Sequence, residues 1–169
     1  MSMENESRFI SADEWSRLCG FVVSGGRTNL VNELLANAEA LLAGEQATVA
    51  LIEAVIALEV AVNNFVQAPR ADGLRQGAQR YGIDLSGLAR LRGKLGLRGS
   101  LELLLPLIID DESLPPAVLE TLRAAVDTRG NVVHNRQWVV DPEGAARSLT
   151  AIRQACNSLA AVTISTGSR

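Results

Sequence analysis

Apolar positions recur every three or four residues along almost the whole chain, the spacing of one face of an α-helix and not the alternation of a strand. Ser11, with Glu14 three residues on, reads as a capping box. Trp15, Leu18, Cys19 and Val22 then fall on one helical face before Gly25-Gly26 stops the pattern. A second helix is expected from Thr28 as N-cap, with Val31, Leu34, Leu35, Ala38, Leu41 and Leu42 as its stripe and Gly44 at its end. From about Glu45 to Gln67 apolar residues cover most of the circumference, the pattern of a helix surrounded by others. Pro69 closes it. The stretch from Arg70 to Leu97 is interrupted by glycines, and short helices are expected over Leu74–Tyr81 and Leu85–Leu95.

Ser100 can cap a helix through LELLLPLII, bent or restarted at Pro106 because proline lacks a donor and crowds the preceding turn. Asp110-Asp111-Glu112 and Pro115-Pro116 mark a loop and a new helix start, followed by the stripe Val118, Leu119, Leu122, Ala125 and Val126. After His134 the connection NRQWVV, whose WVV is the one short extended candidate, leads to Asp141-Pro142, an N-cap with proline in the first turn. The closing helix shows the seam Ala145, Leu149, Ile152, Cys156 and Leu159, spaced alternately four and three. These elements predict an all-α, single-domain helical bundle. Residues 1–10 are expected to be a flexible N-terminus, 11–43 one or two N-terminal helices, 45–163 the bundle and 164–169 a disordered tail.

Composition narrows the function classes. With 169 residues, 47% hydrophobic and 21% charged, the chain is globular and long enough for one core. Aromatic residues are only 4%, so the core is aliphatic and there is no stacking platform for bases. Two cysteines, Cys19 and Cys156, supply neither a disulfide framework nor a zinc site, and their apolar neighbours predict buried thiols. The opening MSMENESRF is polar and has no signal-peptide core, and Glu53, Glu59, Asn63 and Asn64 interrupt the longest apolar run. The expected address is the cytoplasm, with no membrane partner. A mean hydropathy of +0.14, with the apolar third helix and the alanine-rich closing seam, predicts a homodimer.

Net charge is −3, yet it is unevenly spread. Arg70, Arg75, Arg80, Arg90, Arg92, Lys94 and Arg98 face only Asp72 and Asp84 in the same stretch, a local excess of five positive charges. Such a run is an ordinary solvated face or a phosphate-attracting surface, with Arg90, Arg92 and Lys94 as candidate RNA contacts.

His134 is the only histidine, which excludes two-histidine metal sites and histidine relays. No G-x-S-x-G elbow exposes a serine nucleophile. The acidic run at 110–112 precedes a helix, where carboxylates ordinarily complement the dipole, so no metal and no cofactor is expected. Arg129 is the informative residue. The stripe Leu122–Val126 continues at steps of three and four through Arg129 to Val133, which puts a permanent cation at a packing position. It needs an anion: Glu59 or Glu53 from the apolar third helix, or a phosphate. On an ideal helix Arg129 and His134 lie about 140° apart and about 7.5 Å along the axis, so they converge only if the helix bends, as Gly130 allows, or if a second copy supplies the missing half. An arginine beside an imidazole suits RNA cleavage, the imidazole moving a proton and the guanidinium stabilising the phosphorane.

The run TRGNVVHN resembles the motif of the HEPN superfamily, an arginine followed four to six residues later by histidine near a helix end, often R-N-x-x-x-H. Here it stands as Arg129-Gly-Asn-Val-Val-His134, in the frame LPPAVLETLRAAVDTRGNVVHNRQWVVDPEGAARSLTAIRQA. ALEVAVNNF resembles the family's long apolar helix with an embedded glutamate, and the likeness spans about Glu45 to Val162. Gly130 departs from the pattern, which usually has a polar residue there. The resemblance implies a homodimer whose paired motifs share one cleft, and metal-independent endoribonuclease activity of the kind found in toxin and defence proteins, with an antitoxin as a possible partner. It implies proton transfer by His134, phosphate stabilisation by Arg129 and orientation by Asn131. Charge and position add Arg136 as a backbone-phosphate contact. Two other readings stand beside it: a non-catalytic HEPN-like module that binds a nucleotide or a partner such as a nucleotidyltransferase, and a helical scaffold with Arg129 buried against Glu59.

Overall fold

A computed structural model describes residues 11, 13, 15, 16, 29–67, 93–109, 111–135 and 139–165. The described residues form an all-α bundle. Its elements are α1 (Leu30–Ala43), α2 (Ala47–Gln67), a π-helical turn (Ser100–Leu104) leading into α3 (Leu105–Ile108), α4 (Pro116–Asn135) and α5 (Pro142–Ser165). The helices expected over Leu74–Tyr81 and most of Leu85–Leu95 lie outside the described residues, as do Cys19, Pro69, the tail 166–169 and most of the first expected helix. Of that helix residues 11, 13, 15 and 16 are described, and the Trp15 amide donates to the Ser11 carbonyl (2.9 Å).

α2 is the centre. Ala50, Leu51, Ala54, Val55, Ala57, Leu58, Ala61, Val62 and Phe65 are buried on it, and it packs against α1, α4 and α5. Alanine at every second or third inward position lets neighbouring helices approach closely, while Leu58 and Val62 fill the space between them. α1 adds Val31, Leu35 and Ala38 to the same core, and α5 adds Leu149, Ile152, Cys156 and Leu159 of the expected seam, whose first residue, Ala145, is also buried. The N-terminal helix is thus part of the bundle. By length and hydropathy Ala47–Val66 suffices to cross a bilayer, but half of it is buried inside the protein and it is enclosed on three sides, the packing of a core helix.

α1 begins one residue later than expected and ends at Gly44 as expected. Asn29, not Thr28, is the N-cap of α1, its Oδ1 accepting the Val31 amide at 3.1 Å. At the other end Gly44 has φ −85, and the left-handed position falls on Glu45 (φ 60). The amides of Glu45 and Gln46 donate to the carbonyls of Leu42 and Leu41 (3.1 and 2.9 Å), the paired bonds of a Schellman motif.

Ser100 is not a helix cap. Residues 93–99 are already helical, and the buried Ser100 hydroxyl donates back to the Gly96 carbonyl (2.8 Å), where the chain takes φ 62. Widening over Ser100–Leu104, with the Leu105 amide reaching the Ser100 carbonyl, precedes Pro106. A proline has no amide and crowds the carbonyl four residues back, and a π turn relieves that crowding without ending the helix. At the far end of the chain Asp141 caps α5 as expected, its Oδ2 accepting the Gly144 amide (2.8 Å) behind Pro142. Val139 and Val140 form no strand; the Val140 amide donates instead to Thr48 Oγ1 (3.3 Å), tying the connection to the start of α2.

Candidate functional site

α4 begins at Pro116, whose missing amide is harmless in a first turn, and the Pro115 carbonyl accepts the Val118 and Leu119 amides. Its inward side carries Leu119, Leu122, Ala125 and Val132, all buried, with Val118 and Val126 half-buried against the core. The stripe therefore rotates onto Val132 (4% exposed) and not onto Val133 (49%), which reaches past the packed part of the bundle. Arg129 sits between Ala125 and Val132 on that inward side and is half-buried.

Its guanidinium is the anomaly of the site. Arg129 Nε is buried and has no hydrogen-bond partner. Glu59, the expected partner, is exposed on α2, Glu53 is half-buried, and among the described residues neither forms an ion pair with Arg129. A buried donor left unpaired costs about 1–3 kcal/mol, more where the group is charged. The position is therefore tolerated by the fold and not explained by it.

α4 is α-helical without interruption through Gly130 to Asn135. Gly130 has no left-handed φ, and a methyl group placed on it would meet nothing within 4 Å. No break at Gly130 turns Arg129 toward His134. Within one chain the two residues keep the wide angle of a regular helix, about 140°. His134 and Asn131 are both exposed on the last turns. Of the expected RNA contacts, Lys94 is exposed, while Arg90, Arg92 and Arg136 lie outside the described residues.

Two further arginines, Arg98 and Arg123, tie the segment around Arg98–Leu101 to α4. Arg123 Nη2 donates to the Leu101 carbonyl (3.2 Å), and its Nε is buried without a partner. Arg98 is held by Glu102 one turn on (2.9 Å) and by Asp127 of α4. The i, i+4 spacing of Arg98 and Glu102 is readable in the sequence. The Arg98–Asp127 pair joins residues 29 apart and has no local signature. Asp127 is the ion-pair partner on α4 that sequence reasoning missed.

Chemistry elsewhere in the described residues is sparse. No group of three or more His, Cys, Asp or Glu side chains is placed to hold a metal ion among them, and Asp111 and Glu112 are exposed. A recess of about 380 Å³ lies among Asn29, Asn32, Asn64, Phe65 and Asn157, with Cys156 in its wall and no motif residue near it. Burial pushes the Cys156 thiol up to about 12, against a smaller lowering by Arg153, so it stays protonated and inert as expected.

Comparison with protein-family models, curated proteins and solved structures finds no match for this chain. Any functional reading rests on the residues themselves.

Proposed function

We propose that this chain is a HEPN-like, metal-independent endoribonuclease that acts as a homodimer in a defence or toxin-type system. The observation that carries the reading is the half-buried Arg129, whose Nε is buried without a hydrogen-bond partner and which forms no ion pair among the described residues. A guanidinium cannot escape its charge by deprotonation, so an external oxyanion completes the site, and a phosphate matches its forked donors. The exposed His134 supplies proton transfer and the exposed Asn131 a polar contact to orient the phosphate. In the reaction the ribose 2′-oxygen attacks phosphorus and the bond to the 5′-oxygen breaks. The 2′-oxygen loses a proton and the 5′-oxygen gains one, leaving a 2′,3′-cyclic phosphate and a free 5′-hydroxyl. One imidazole serves one of these transfers. A second copy contributes another histidine, and a guanidinium on the side of the phosphate that a single regular helix leaves uncovered.

Incubation of the protein with single-stranded and structured RNA in EDTA tests this. Wild type is expected to cleave, and His134→Ala and Arg129→Ala to lose cleavage by a factor of about 10² or more. Arg129→Ala is expected to melt within a few degrees of wild type, because no carboxylate among the described residues pairs with it. Cleavage by His134→Ala at the wild-type rate would sink the proposal. The wide Arg129–His134 angle and Gly130 favour a second reading, a non-catalytic module of the same type. RNA binding without cleavage, unchanged by His134→Ala, identifies that case.

A further inference from the structure

We infer that the recess between the start of α1, the end of α2 and α5 is a binding site for an uncharged, planar ligand that presents an amide-type edge, a hydrogen-bond donor beside an acceptor. The site is separate from the RNA reading above and does not depend on it.

Three helices build the recess. Asn29 and Asn32 stand at the start of α1, Asn64 near the end of α2 and Asn157 on α5, around a floor that includes the buried Phe65 and Leu159. Its volume of about 380 Å³ is ordinary for a small-molecule site, and so is its make-up, an apolar base with a few polar groups converging on it. Along α2, Asn64 lies about 24 Å from Thr48, which holds the Val140 amide. The recess therefore sits toward the opposite end of α2 from the connection that follows His134.

The lining selects the ligand. No Lys, Arg, Asp or Glu borders the recess, and Cys156 in its wall stays protonated, so the surface is neutral. A charged ligand would give up water there and gain no counter-charge. The other recess between α1 and α5 differs, being bordered by Glu39 and Arg153, which pair with each other. Here the polar groups are four carboxamides. Each presents an acceptor and two donors in one plane, and pairs through two bonds with an edge that does the same, as asparagine does with adenine. Asn29 uses its Oδ1 to cap α1. Asn32, Asn64 and Asn157 are exposed, and their side chains bond to no other described residue. The buried ring of Phe65 and the Leu159 side chain give a flat ligand an apolar surface to cover.

The experiment follows the asparagine side-chain NH2 signals of isotope-labelled protein by NMR as uracil, nicotinamide or nicotinate is added to millimolar concentration. Uracil carries the amide edge within a ring, nicotinamide as a primary carboxamide, and nicotinate keeps the shape of nicotinamide but bears a carboxylate. Asn64→Leu and Asn157→Leu, both at exposed positions, assign the two signals and remove one partner each. Uracil or nicotinamide is expected to shift the Asn64 and Asn157 signals saturably, with nicotinate binding at least about fivefold more weakly. Each leucine variant should weaken binding by about three- to tenfold. Tighter binding of uracil identifies a nucleobase-type ring as the ligand, and tighter binding of nicotinamide an open carboxamide. No shift with either neutral probe, equal binding of nicotinate, or wild-type affinity in both variants overturns the inference.

Discussion

α2 and the C-terminal half of α4 are built from the same three-and-four spacing, yet they spend it differently. Along α2 every deeply inward position is an alanine or a larger apolar residue, and its two glutamates are turned outward or half outward. Along α4 the inward series Leu122, Ala125, Val132 is broken by Arg129, whose Nε is buried without a partner, and the next residue is a glycine in open space. The first region is consistent at every level, from propensity through pattern to packing. The second breaks two local rules within two residues. Such departures concentrate where a chain is shaped by something other than its own stability.

The comparison is sharpest where the packed region is opened. Leu58 is fully buried at the middle of α2, the helix that packs against α1, α4 and α5. Leu58→Ala is expected to destabilise the protein by about 3–5 kcal/mol, as transfer and cavity terms add. Chemical denaturation should show the midpoint fall, with the proposed RNA cleavage unchanged per folded molecule. A loss under 1 kcal/mol would mean that α2 is not the centre of the core.

Cys156 probes the same region through pH. Its thiol is held up to about 12 in the folded protein by burial, against an ordinary value of 9.0. The unfolded state therefore loses its proton first as pH rises, and the stabilising contribution is complete below about 9 and is lost toward 12. The loss is about 1.4 kcal/mol per pH unit in that window. Wild type and Cys156→Ala, compared by urea denaturation between pH 8 and 11, should differ in slope by about that amount. Parallel curves would place the thiol in water.

The packed region was the legible one. The α5 seam, the Asp141 cap and the central helix follow from spacing and capping chemistry alone, because each depends on residues within one or two turns. Where the sequence reading slipped, a neighbour in space or a competing local bond decided the outcome. Asn29 takes the capping role expected of Thr28 because its Oδ1 accepts the Val31 amide. Ser100 turns its hydroxyl back to Gly96, and the strain of Pro106 appears earlier in the chain, as a π turn. At the site, Arg129 was visible as a cation on a packing stripe. Asp127 was not, since its partner is 29 residues away and nothing in the pattern of either segment names the other.

Gly130 offers the finest test of the contrast. In a continuous helix a glycine is about 1 kcal/mol less favourable than alanine, because its unfolded state has more freedom and its helical backbone is less shielded. Among the described residues nothing requires it: φ is not left-handed, and beyond its own helix a methyl group would meet no atom within 4 Å. Gly130→Ala should therefore raise stability by about 0.5–1 kcal/mol, visible as a rise of a few degrees in thermal melts at low protein concentration. If α4 is only a packed helix, that gain comes with unchanged RNA cleavage and an unchanged oligomeric state by sedimentation. If a second copy or an RNA backbone passes over this point, the same methyl group weakens association or cleavage while the monomer becomes more stable. A variant that gains stability and loses function separates the two regions in one measurement. One that loses stability would show that α4 is not a regular helix at Gly130, and the angle between Arg129 and His134 would have to be reconsidered.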